Sequence, residues 1–175
     1  MISEKIVTAI NEQVKLEEHS SRLYLAMASW CDANGFPGTA AFLYGHSDEE
    51  RLHQLKFMKY VNERGGHSIL MELEQPGNDY TSLEQIFTEI YAHEQMITEK
   101  INDLYDLAFQ EKDFNTGQFL QWYIMEQDEE EATFGGILDE LKLIGDSKGV
   151  LYHFDKDLAA RAVANAAAAI AAATV

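Results

Sequence analysis

Glu50 and His53 stand one helical turn apart on a stretch whose companions Leu43, His46, Phe57 and Tyr60 recur at alternating spacings of four and three, the signature of one helix face. Three other stretches repeat the pattern. Glu17 falls within Ile6, Ile10, Gln13, Ser20, Tyr24, Met27 and Cys31, and Glu94 is the only charge among Leu83, Phe87, Ile90, Ile97, Ile101, Leu104 and Ala108. Gln127 and Glu130 are enclosed by Leu120, Tyr123, Phe134, Ile137, Leu141 and Ile144. A buried carboxylate costs on the order of several kcal/mol unless it is paired or bound to a cation. Glu17, Glu50, Glu94 and Glu130 bring four negative charges, and the stripes carry no Lys or Arg at that height. Two divalent cations would balance them. Carboxylate oxygens with one imidazole and no thiolate suit iron or manganese, with zinc also possible. An iron pair with open positions would bind oxygen and hand it electrons from both metals. Taken singly, each residue has an ordinary explanation, such as a boundary glutamate reaching for water. Taken together they form a metal site.

The elements that must position these residues can be read from their end signals. Helix A runs from the N-cap Ser3 to Asn34, where Gly35 stops it, and Pro37 opens helix B, which ends at Gly65 and Gly66. The tight turn makes A and B antiparallel neighbours. From His67 to Tyr80, with Pro76, Gly77, Asn78 and Asp79, no period is sustained and a long connection is expected. Thr81 and Glu84 are predicted to form the capping box of helix C, which reaches about Lys112. After Asp113 to Asn115, helix D runs to Gly145. Gly135 and Gly136 inside it soften it by about 1 kcal/mol each, or let a neighbouring backbone approach. A short helix E is expected from Lys148 to Ala160. Helices A to D are each about 45 Å long. The B to C connection reaches about 50 Å when extended, enough to cross the bundle, whereas the other turns cannot. The expected fold is all-α: a four-helix bundle of two antiparallel pairs joined by one long crossover, with a fifth helix. Residues 1–160 form its domain and 161–175 an alanine-rich tail that extends helix E or protrudes. The polar residues all fall near their helix midpoints, so they meet at one level whichever way the helices run.

Composition narrows the function classes. The chain has 175 residues, 46% of them apolar, enough for one domain with a core. A formal charge of -17 argues against nucleic acid and anionic membrane partners and favours cations. The single Cys31 cannot form an internal disulfide, and the start MISEKIVTAI has no basic, apolar leader pattern, so a cytoplasmic protein is expected. The tail after Arg161 is too short and too weakly apolar to span a bilayer.

Four motifs in order, NEQVKLEEHSSRLYLAMASW, EERLH, HEQMITEKIN and FLQWYIMEQDEEE, give the chain a resemblance to prokaryotic non-haem ferritins over residues 1 to about 160. The resemblance implies one iron held by Glu17, Glu50 and His53 and a second held by Glu50, Glu94 and Glu130, with Glu50 bridging and Gln127 beside the second. It implies a third iron site on the inner surface, for which Glu49, Glu126, Glu129 and Glu130 match. Tyr24 would hydrogen-bond near the site or donate an electron, assisted by Trp122. It further implies Fe(II) oxidation by dioxygen or peroxide and storage of ferric mineral in a hollow shell of identical subunits, a 24-mer. Haem-binding bacterioferritins carry a second Glu-x-x-His in helix D and a Met after the bridging Glu. Gln127 with Glu130, and Arg51, stand at those places here, so no haem is expected. A rubrerythrin-like peroxidase would need four cysteines. A di-iron oxidase or peroxidase without a storage role, and a metal-free helical interaction bundle, are the remaining alternatives. The alanine-rich tail departs from the family pattern.

Overall fold

The computed structural model describes residues 2–145 and 147–173. Its elements are α1 (Glu4–Ala33), α2 (Pro37–Glu63), α3 (Leu83–Gln110), α4 (Phe114–Ile144) and α5 (Lys148–Ala173), and no strand occurs among the described residues. Local chemistry sets most boundaries. Ser3 caps α1 by accepting from the Ile6 amide, and Pro37 opens α2. Gly35 and Gly65 take positive φ, of 87° and 83°, in the turns that end α1 and α2. Helix α3 starts one residue later than its sequence signal: Ser82 rather than Thr81 is the N-cap and accepts from the Gln85 amide. Gln85 Oε1 in turn accepts from the Thr81 amide and hydroxyl, so Gln85 takes the part expected of Glu84. Asp113 is already the N-cap of α4, accepting from the Thr116 amide, so no linker of irregular residues separates α3 from α4 beyond a tight turn.

The core lies in two clusters, and their membership gives the topology. One cluster holds Met27, Leu43, Phe87 and Phe134, and the other holds Ile6, Phe57, Ile101 and Leu120. Along α1 and α4 the chain passes from the second cluster to the first; along α2 and α3 it passes from the first to the second. The pairs α1 with α2 and α3 with α4 are therefore antiparallel and pack closely, and α1 also meets α3. Residues 64–82 must then cross the full length of the bundle. They do so against α1: the Ile69 amide donates to Asn11 Oδ1 near one end, and Tyr80 meets Trp30 edge to face near the other. Between the two clusters, at mid-height, lies a layer of buried polar side chains.

Helix α5 begins at Lys148 as expected and continues through the alanine-rich segment to Ala173, beyond the expected end at Ala160. Alanine has the highest helix propensity, and no glycine, proline or cap interrupts the run. Phe154 and Leu158 dock on the first core cluster, and Asp155 caps the start of α2, its carboxylate accepting from the Gly38 and Thr39 amides and the Thr39 hydroxyl at 2.8–3.1 Å. A β-carbon at Gly38 would lie 1.9 Å from the Asp155 carbonyl oxygen, so only glycine allows this approach. Gly135 and Gly136 admit no neighbouring backbone. Gly135 faces the Tyr91 ring, 3.4 Å from where a β-carbon would stand, and Gly136 faces open space.

Candidate metal centre

The middle layer joins residues from all four long helices. Glu17, Glu50, His53, Glu94, Gln127 and Glu130 are all buried there. One ligand atom each from Glu17, Glu50 and His53 lies within 4.8 Å of the others, with His53 Nδ1 3.5 Å from Glu50 Oε2 and 4.0 Å from Glu17 Oε2. The spacing of Glu50 and His53 puts both on the inner face of α2, and antiparallel packing brings Glu17 of α1 to the same height. Gln13, one turn before Glu17, donates to its Oε1 at 2.8 Å. Tyr123 donates to the His53 carbonyl at 2.8 Å, and its ring packs beside the imidazole.

Glu94 is held differently. Its Oε1 accepts from the Tyr24 hydroxyl, and its Oε2 accepts from Gln127 Nε2 at 3.0 Å. Both oxygens are thus engaged by side chains that the helical pattern places within a turn or two of Glu17 and Glu130.

Burial, then the Glu50 charge, drives the Glu17 carboxyl well above the carboxylate range. Burial and Glu94 do the same to Glu50, although its hydrogen bond with Glu17 opposes the shift, as expected when Glu17 keeps the proton they share. Burial and Glu130 push Glu94 up to about 7 against the lowering effect of Tyr24 and Gln127. Tyr24, raised well above 10 by burial and by Glu94, Glu50 and Glu130, stays a neutral donor. A cation bound here would have to displace the protons that these raised carboxyls favour. The donor set fits hard divalent cations: oxygens from several carboxylates, one or two imidazoles and no thiolate. Glu130 Oε2 is buried without a hydrogen-bond partner, which leaves an acceptor in the layer for a cation.

The residues expected at an inner-surface site are partly brought together. Glu49 and Glu130 meet His46, and Glu49 with Glu126 meets His53, each group having its ligand atoms within 4.8 Å. Glu129 is exposed and belongs to neither group, though its charge is felt at Glu49 and Glu126. Trp122 is partly exposed, with its ring against His53 at 5.2 Å and under Lys56 Nζ at 3.0 Å. His46 was overlooked as a candidate ligand by sequence reasoning. The available signal was its place on the α2 stripe, one turn before Glu50 and three residues before Glu49.

A family model, Ferritin, described as a ferritin-like domain, matches residues 7–144. The chain belongs to the ferritin family. A probable bacterial non-heme ferritin-like protein of Haemophilus influenzae is 46% identical over 158 residues, covering 90% of this chain and 96% of that one. The bacterial non-heme ferritin of Campylobacter jejuni is 44% identical over 156 residues, covering 89% and 93%. Among solved structures, an open pore ferritin from the hyperthermophilic archaeon Archaeoglobus fulgidus superposes with a TM-score of 0.89 at 42% identity, covering 90% of this chain and 96% of that one. The resemblance to prokaryotic non-haem ferritins is thereby borne out, and the function is iron storage with ferroxidase activity. No helix among its described residues is long and apolar enough to cross a membrane.

Proposed function

We propose that this ferritin binds Fe(II) in pairs within the middle layer of each subunit, one ion on Glu17, Glu50 and His53 and the other on Glu50, Glu94 and Glu130, with Glu50 between them. Each Fe(II) gives up one electron, and dioxygen or peroxide takes the pair. Gln127 and Tyr24 hold Glu94 in place, and Tyr24 is also a phenol bonded to that carboxylate from which an electron could come. The acidic residues Glu49, Glu126, Glu129 and Glu130 receive ferric ions leaving for the interior. Identical subunits enclose that interior as a 24-mer in the cytoplasm, where ferric mineral accumulates. The chemistry belongs to residues 1–160, and the tail 161–175 takes no part in it.

The observation that carries this reading is the grouping of Glu17, Glu50 and His53 in a buried layer where burial and mutual repulsion raise the carboxyls of Glu17 and Glu50. Anaerobic Fe(II) titration followed by rapid mixing with oxygen tests it, comparing the native chain with Glu94→Ala and Glu130→Ala. Fast oxidation of two irons per chain in the native protein, lost in both variants, is the expected result. Equal, slow oxidation in all three would reject a ferroxidase role for this layer.

A further inference from the structure

On the flank where α1 meets α3, two imidazoles stand close together. His19 follows Glu17 by two residues and His93 precedes Glu94 by one, so both lie at the height of the polar layer on neighbouring helices. Their ring centroids are 6.0 Å apart, with the planes inclined at 53°, and both residues are half-buried. A divalent ion bonds an imidazole nitrogen at about 2.0–2.1 Å, so two rings that share one ion have centroids about 5–6.3 Å apart, according to the angle at the metal. The observed separation falls within that range. The hydrogen bonding of His93 adds an independent constraint. Its Nε2 lies 2.7 Å from Ser20 Oγ, and the same oxygen lies 3.1 Å from the Leu16 carbonyl oxygen. A carbonyl only accepts, so both contacts are hydrogen bonds together only when the hydroxyl gives its one proton to Leu16 and His93 Nε2–H donates to Ser20. Nδ1 is then the lone-pair nitrogen of the ring. Ser20 is fully buried, so its oxygen fixes the orientation of the imidazole as well as its tautomer. Metal-ligating histidines are held in the same way, with the other ring nitrogen donating to a fixed acceptor.

We infer that His19 and His93 hold a divalent ion on the flank of the bundle, bound through His93 Nδ1 and one nitrogen of His19, with water completing the coordination. Ser20 is the positioning residue of this site. The class of ion follows from the donors. Two imidazoles select borderline ions such as Cu(II), Ni(II) and Zn(II), whereas the carboxylate-rich layer suits harder ones. The site shares no ligand with the paired layer, so its occupancy does not depend on the ferroxidase reading above.

Cu(II) is the probe, because nitrogens bonded to it split its electron paramagnetic resonance and can be counted. The paired layer also takes divalent ions, so the number of nitrogen ligands, rather than the stoichiometry, identifies this site. Cu(II) is added to the assembled metal-free protein up to one ion per chain, for the native chain, His19→Gln, His93→Gln, Ser20→Ala and Glu94→Ala. The native protein should show Cu(II) with two imidazole nitrogens. His19→Gln and His93→Gln should each lose that two-nitrogen spectrum. His19 is half-buried on the helix flank, so its glutamine variant keeps the fold and should oxidise iron at the native rate. Ser20→Ala should keep both nitrogens but bind about 10–100-fold more weakly. Glu94→Ala should keep the native spectrum while fast iron oxidation is lost. A native spectrum with fewer than two nitrogens overturns the inference. So does a two-nitrogen spectrum that survives in His19→Gln, which would assign the copper to other histidines. Native affinity in Ser20→Ala would overturn its positioning role. Slow iron oxidation in the native chain, alongside a two-nitrogen spectrum that His19→Gln abolishes, would reject the paired-iron reading and leave this one standing.

Discussion

The Tyr24 hydroxyl donates its hydrogen bond to Glu94 Oε1, linking α1 to α3 through the centre of the polar layer. Tyr24 stands two turns beyond Glu17 on the same helix face, so one face of α1 supplies both a candidate ligand and the group that orients another. The bond favours the ionised form of Glu94, opposing burial and the Glu130 charge, which push it up to about 7.

Replacing Tyr24 with phenylalanine removes the donor and keeps the ring that packs near Phe134. Glu94 then titrates at a higher pH than in the native protein. The expected result is weaker Zn(II) binding near pH 6 with much smaller loss near pH 8, and a metal-free protein less stable by about 1–3 kcal/mol. Calorimetry at the two pH values and urea unfolding check both parts. A loss of affinity equal at both pH values would show that Tyr24 does not act through the protonation of Glu94.

Stability should depend on pH in opposite ways with and without metal. The Glu94 carboxyl moves from an ordinary value of 4.5 to about 7 on folding, so the folded chain binds its proton more tightly. Its contribution is fully present below about pH 4.5 and is lost as pH rises through 7. Glu17 and Glu50, also raised, act in the same direction. A bound cation needs the ionised forms, so metal binding releases protons and strengthens with pH. The gap in thermal midpoint between Zn(II)-loaded and metal-free protein should widen from pH 5 to pH 8. A gap that narrows over that range would contradict the assigned shifts.

Function and stability should separate at Glu50. A glutamine there removes one of the mutually repelling buried carboxylates while keeping its size. At pH 8 the metal-free Glu50→Gln protein should be more stable by on the order of 1–2 kcal/mol, and its fast iron oxidation should be abolished. Unfolding curves and oxygen uptake on the same preparations provide the check. Loss of activity accompanied by loss of stability would mean that Glu50 serves the fold.

Asp155 provides a test away from the metal layer. Asp155→Ala removes the acceptor for the Gly38 and Thr39 amides, a capping contribution of about 1 kcal/mol, and loosens α5. Gly38→Ala should displace α5 by steric conflict with the Asp155 carbonyl. In both, amide exchange in residues 148–162 should accelerate while the initial rate of iron oxidation stays native. Unchanged exchange would show that α5 is secured by Phe154 and Leu158 alone.

Much of this structure was legible because its signals are local and repetitive. The stripes around Glu17, Glu50, Glu94 and Glu130 identified the buried face of each helix, and Ser3, Pro37 and the turn glycines marked ends. Where two capping signals overlap, as at Thr81 and Ser82, the backbone can satisfy its amides from either, and spacing alone does not choose between them. The full extent of α5 was hidden for another reason: an alanine run states a helical preference without stating what the helix rests on. His46 was obscured by its surroundings. A histidine on a core stripe reads as filling, and only the arrival of Phe134 and Glu130 from α4 reveals an imidazole that packs on one and faces the carboxylate of the other.

The division of the core into two clusters has a mechanical consequence. Each of α1 to α4 is anchored in dry packing at both ends, and the middle layer hangs between those anchors like a platform between two abutments. Changes of charge at that level leave the apolar packing on either side of it in place. Each of α1 to α4 is therefore held above and below the layer, whatever charge the layer carries.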